Sequence, residues 1–177
     1  MLVQGAYQPG GLVFPGSFNP VHEGHRRMAE IASARFGRNV QPEISLVNVD
    51  KPEIKQADLD LRMQSLVLLG DPLVTRAPLF VDKAECFPGC RFVIGADTAL
   101  RLSDVRYSGG QAEQRDAGLR RLGALGCRFL VFGRVVEGVF QDASRLRLEG
   151  LLSELCDFVP ETEFRVDISS RELRAQE

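Results

Sequence analysis

Short apolar runs that stop at glycine or proline, each leading into a stretch of helical length, constrain this chain more than any other feature. Gly11 to Phe14 is such a run, stopped by Pro15-Gly16, and reads as a buried strand feeding a glycine turn. The helix predicted next spans Pro20 to Phe36, with Val21, His25, Met28, Ala32 and Phe36 along one stripe. Asn19 suits its N-cap, Pro20 its first position and Gly37 its stop. The pattern recurs as a strand at Glu43 to Val49 before a helix at Gln56 to Leu69. It recurs again as a strand at Arg91 to Ile94 before a short helix reaching Leu102. A helix at Gln111 to Leu125 then precedes a strand at Arg128 to Phe132. Leu79 to Val81 is a brief apolar run, Ser144 to Leu155 reads as helical, Phe164 to Val166 as a last strand, and Ser169 as the start of a terminal helix. Strands alternating with helices specify an α/β fold, a mostly parallel sheet with helices on both faces. Such doubly wound sheets hold ligands at the carboxyl ends of strands, near a switch in strand order.

The length of 177 residues suits a single domain, 1–177, with residues 1–9 as a flexible lead or a short edge element. A hydrophobic fraction of 44% and a charged fraction of 26% are ordinary globular values and exclude disordered, collagen-like and rod-like classes. No apolar run is long enough for a membrane span, and the N-terminus lacks the layout of a signal peptide. A formal net charge of −2 argues against nucleic-acid binding by bulk charge. Cys86, Cys90, Cys127 and Cys156 have no zinc-site spacing and read as reduced thiols, with no metal site expected. The expectation is a cytoplasmic protein without membrane or nucleic-acid partners, with self-association left open.

The strongest chemical signal is Gly16-Ser17-Phe18-Asn19-Pro20-Val21-His22-Glu23-Gly24-His25, which contains both histidines of the chain. Imidazoles three residues apart at a helix start lie beside unpaired backbone N–H groups and the positive end of the helix dipole. That combination is a cradle for a polyphosphate. Gly16 would admit a ligand close to the backbone, and Gly24 removes a side chain between the rings. A core role for His25, which shares the apolar stripe with Met28 and Ala32, is the plain alternative.

This run resembles the signature of nucleotidyltransferases that carry a Gly-Ser/Thr-Phe-Asp/Asn-Pro segment followed by His-x-Gly-His. The resemblance implies a Rossmann-like fold and transfer of a nucleotidyl group from ATP or CTP to a phosphate-bearing acceptor. It extends to Ile168-Ser169-Ser170-Arg171-Glu172-Leu173-Arg174, which looks like the family's Ile-Ser-Ser-Thr-x-x-Arg motif with arginine in place of threonine. Ser169 with Glu172 also fits a capping box, and the two roles are compatible. Phe92 to Leu100 is similar to the Ile-Gly-x-Asp segment of nicotinate and nicotinamide mononucleotide adenylyltransferases. By that resemblance Gly95 and Asp97 line the nucleotide's ribose pocket, against the alternative of Asp97 as a plain N-cap. Phe132-Gly133-Arg134 is a weaker echo, and a surface arginine explains Arg134 equally well.

The resemblance implies that His22 and His25 are catalytic and that Gly16, Ser17, Phe18, Asn19, Gly24, Gly95, Asp97, Ile168, Ser169, Ser170 and Arg174 bind the nucleotide. Acceptor contacts fall to Lys51, Lys55 and Arg62. Arg62 interrupts the stripe Leu59, Met63, Leu66, so it needs a partner, either an acceptor phosphate or a buried carboxylate. Magnesium would arrive with ATP on phosphate oxygens. The nearest likeness is to the nicotinate and nicotinamide mononucleotide adenylyltransferases of NAD biosynthesis. Those enzymes usually stack the pyridine ring on tryptophan, which this chain lacks, leaving Tyr107 or a phenylalanine. Cytidylyl transfer, a phosphopantetheine-type adenylyl transfer, and a nucleotide-binding module without turnover are the alternatives.

Overall fold

The computed structural model describes residues 1–47, 52–108, 110–136, 139–141, 146 and 148–166. Lys51, Ile168, Ser169, Ser170 and Arg174, with the terminal helix expected from Ser169, lie outside the described residues. The strands are β1 (Leu2–Gln4), β2 (Leu12–Pro15), β3 (Val40–Ser45), β4 (Leu73–Thr75), β5 (Arg91–Gly95), β6 (Arg128–Phe132), β7 (Arg134–Val136), β8 (Val139–Gln141) and β9 (Cys156–Val159). The α-helices are α1 (Glu23–Phe36), α2 (Gln56–Leu66), α3 (Phe80–Cys86), α4 (Ala96–Ser103), α5 (Ala112–Ala124) and α6 (Gly150–Leu155).

The main sheet runs in the order β1-β4-β3-β2-β5-β6-β9, and β7 and β8 form a separate antiparallel hairpin. Every neighbour in the main sheet is parallel except the edge pair β1/β4. Counted along the chain, the six parallel strands lie 3-2-1-4-5-6, so the winding direction reverses between β2 and β5. That reversal opens a crevice at the carboxyl ends of these two strands, where Pro15 and Gly95 stand.

Side chains alternate across the sheet with the strand period of two. Val13, Leu73, Phe92, Ile94, Phe129 and Val131 face a core covered by Ala84, Ala99, Leu119, Leu122 and Leu152 of α3 to α6. Leu12, Phe14, Val74, Val93, Leu130 and Phe132 face the other core, covered by Ala29 and Ala32 of α1 and Leu59 and Leu66 of α2. This is the Rossmann-like α/β architecture expected from the alternating pattern.

Several boundaries differ from the sequence reading. The first helix begins at Glu23, and the chain is still turning at Asn19 and Pro20. Asn19 is therefore not its N-cap; His22 is. β3 starts three residues before the expected strand, in register with β2 from Leu12↔Val40 onward. Its buried Gln41 and Glu43 disguise it as a surface segment. The brief run at Leu79 opens α3, and α2 ends at Leu66 rather than Leu69. Phe164 to Val166 is not a strand: β9 holds that edge of the sheet, and Phe164 instead meets the ring of Phe132 at 5.0 Å. Residues 1–9 supply edge strand β1, and beyond it Gln41 holds Ala6 and Gln8 through hydrogen bonds of 2.9 and 3.0 Å.

Candidate active site

The crevice wall on the β2 side is the loop from Gly16 to His22. The amide of Gly16 donates to the carbonyl of Glu43 at 3.0 Å, extending the β2/β3 ladder by one step. A Cβ at Gly16 would stand 2.9 Å from the ring of Phe18. The glycine thus makes room for the Phe18 ring. Phe18 itself is 1% exposed, so its ring is part of the core and its share in the site is indirect. Ser17 and Asn19 are exposed in the same loop.

His22 is extended (φ −139°, ψ 174°) at the N-cap, and its backbone N–H donates to Nδ1 of His25 at 3.2 Å. His25 thereby takes the part of the reaching-back residue in a capping box, a part usually played by Glu or Gln. The two rings stack with centroids 3.8 Å apart and planes 28° apart. A Cβ at Gly24 would approach Cε1 and Nδ1 of His22 to 3.0 Å and press on the stacked ring. Burial pushes the pKa of His25 down to about 3, assisted by the charges of His22 and Arg134. A neutral imidazole whose Nδ1 accepts carries its proton on Nε2, and so offers one uncharged donor.

The facing wall is the end of β5. Gly95 is the N-cap of α4, and Asp97 lies in the first helical turn, so Asp97 is not the cap that the plain alternative supposed. A Cβ at Gly95 would come within 2.7 Å of Asp97 Oδ1, so the carboxylate folds back over bare backbone. Arg134, at the start of β7, donates from Nη1 to Asp97 Oδ1 at 3.4 Å. Its positive charge also helps to hold the pKa of His25 down. Sequence reasoning left this arginine as an even choice; its position one residue past a strand end and a glycine was the usable signal.

Arg62 donates from Nη1 to the carbonyl of Ser17 at 3.1 Å. Its partner is thus the backbone of the loop after β2, and among the described residues it makes no ion pair. Lys55 is exposed as the N-cap residue of α2. The ring of Tyr107 has the Arg101 guanidinium 5.9 Å from its centroid. The thiols stand elsewhere: Cys90 and Cys127 precede β5 and β6 at their amino ends, buried with Sγ atoms 3.9 Å apart.

Among the described residues no helix is long and apolar enough to cross a membrane. No curated protein matches the chain. A family comparison does: residues 13–176, from the middle of β2 almost to the end, match the cytidylyltransferase-like family. That span contains both walls of the crevice, and the chain belongs to the cytidylyltransferase-like family, whose members are nucleotidyltransferases that bind nucleoside triphosphates.

Proposed function

We propose that this protein transfers AMP from ATP to the phosphate of a mononucleotide such as nicotinate or nicotinamide mononucleotide, releasing pyrophosphate. The observation that carries the reading is the stacked His22–His25 pair at the start of α1, beside the point where the sheet reverses its winding. An acceptor phosphate oxygen would attack the α-phosphorus in line, and the bond to the β-phosphate oxygen would break. Such a reaction asks the protein mainly for positioning and for donors aimed at developing charge. His25 supplies an uncharged Nε2–H donor, and Arg134 supplies a cation for the departing pyrophosphate. Asp97, in the first turn of α4, is the acceptor for ribose hydroxyls. Lys51, Lys55 and Arg62 remain the acceptor-side candidates, and Ser169, Ser170 and Arg174 the terminal phosphate contacts.

The donor set of the crevice is imidazole and guanidinium nitrogen with the Asp97 carboxylate, which does not suit a resident magnesium ion that prefers oxygen ligands. Among the described residues no group of three His, Cys, Asp or Glu could hold a metal. Magnesium therefore belongs, in this reading, to the triphosphate that brings it.

A second reading is cytidylyl transfer from CTP to a polyol phosphate or choline phosphate. The description of the matched family favours it, as does the lack of tryptophan for a pyridine ring. Pyrophosphate release from ATP and from CTP, each against a panel of phosphorylated acceptors, separates the two. His25→Ala should lower kcat about a hundredfold in the productive pair, the usual effect of removing one transition-state donor. Turnover unchanged in that variant would remove the histidine pair from the chemistry.

A further inference from the structure

We propose that Phe18 is a positioning residue for His25, its buried ring holding the imidazole where the His22 amide fixes the tautomer that carries a proton on Nε2. The inference rests on the reading of His25 as a phosphate donor and adds how that donor is made.

Among the described residues Phe18 is the one non-glycine at positive φ, at 44°. A bulky side chain rarely takes that conformation, and glycine or asparagine takes it readily. The ring must therefore serve something the backbone turn alone does not need. It is 1% exposed and lies 5.3 Å from Phe14, edge to face, and 5.0 Å from the ring of His25. Phe14 approaches His25 at 5.8 Å, and His22 stacks on it at 3.8 Å. Three rings thus confine the imidazole, and the His22 amide binds its Nδ1.

The charged and titratable groups that act on His25 are His22 and Arg134, and both oppose an imidazolium. The first turn of α1 opposes it as well, because a cation at a helix N-terminus is disfavoured. Among the described residues no carboxylate pairs with His25. Phe18 and Phe14 withhold water from the ring, so the neutral form persists and the amide contact decides which nitrogen bears the proton. The site then presents the same donor at pH values well above the His25 midpoint of about 3.

With only two histidines in the chain, long-range proton–nitrogen spectra of the uniformly labelled full-length protein resolve the question, His22→Asn giving the assignment. The expected wild-type result is one imidazole with bare Nδ1, protonated Nε2 and no titration between pH 5 and 8. A His25 signal in the other tautomer, or titrating near its ordinary value, overturns the proposal without any variant. In Phe18→Leu, where a smaller side chain lets water reach the ring while His22 and Arg134 remain, the His25 midpoint should rise from its wild-type value yet stay below that of an ordinary imidazole. kcat should fall about tenfold with little change in KM for the nucleotide. A Phe18→Leu protein that keeps the wild-type tautomer and titration overturns it too. An intact His25 spectrum in a wild type that turns over no nucleotide sinks the functional reading, while the placement of the ring by Phe18 stands.

Discussion

Lys83 places its Nζ 2.8 Å from each carboxylate oxygen of Glu43, and Thr75 donates to the same carboxylate at 2.5 Å. Glu43 is 0% exposed and Lys83 5%, so two opposite charges from α3 and β3 meet out of reach of water. The carbonyl of Glu43 is the acceptor for the Gly16 amide, so this pair is tied to the start of the loop after β2. Removing one partner would strand the other charge. Lys83→Met should therefore lose about 3–5 kcal/mol of stability in urea unfolding. Adding Glu43→Leu should recover much of that, since a buried pair replaced as a unit by apolar groups is often neutral. A single variant within the error of the wild type would show that the carboxylate finds other partners.

Gly24→Ala separates fold from chemistry. In an ordinary helix this exchange stabilises by about 1 kcal/mol. Here the added carbon would press on His22 at 3.0 Å and shift the imidazole stack. The melting temperature should hold or rise while kcat drops on the order of tenfold to a hundredfold. Full activity in the variant would mean the stack is not needed.

The depressed pKa of His25 makes stability depend on pH. Its midpoint is about 3 in the folded protein, chiefly through burial and then through His22 and Arg134. The unfolded chain has an ordinary imidazole near pH 6.5 and binds more protons between these values. The contribution is present above about pH 6.5 and is lost as pH falls toward 3. Urea midpoints measured at pH 7.5, 6 and 5 should decline, and His25→Gln should decline less steeply. Identical slopes would show that His25 is not the group responsible.

Arg134→Ala should weaken triphosphate binding by about 1.5–3 kcal/mol, the range for a charge-assisted hydrogen bond. Calorimetry with ATP, CTP and inorganic tripolyphosphate reads it directly. Asp97→Asn should leave tripolyphosphate binding equal or tighter, because it releases the guanidinium now held at 3.4 Å, and should weaken the two nucleotides. Equal effects of both substitutions on all three ligands would break the division of labour between Asp97 and Arg134.

The segments read well from sequence are those where one local pattern decides. β5 and β6 are apolar runs bounded by glycine, and α5 fits between its expected ends to within a residue. Misread segments depend on distant partners. β4 is only three residues long, and its Leu73, Val74 and Thr75 become a strand because β1 and β3 flank them. Gln41 and Glu43 look like surface residues until Ala6 and Lys83 arrive to satisfy them. At the crevice, the histidines and glycines were legible as a motif. The internal contacts of two of the glycines were not, because the closeness of Phe18 to Gly16 and of Asp97 to Gly95 appears only in the fold.

Local chemistry along the chain determined the alternation of strands and helices, the family signature, and the pairing of two imidazoles at a helix start, since each depends on neighbours within a few residues. Tertiary structure alone decided the 3-2-1-4-5-6 strand order, the Arg134–Asp97 bridge between the ends of β5 and β6, the Arg62 contact with Ser17, and the buried Lys83–Glu43 pair. The three side-chain contacts join residues 37 or more positions apart in sequence, where composition and periodicity carry no information about which side chain will meet which.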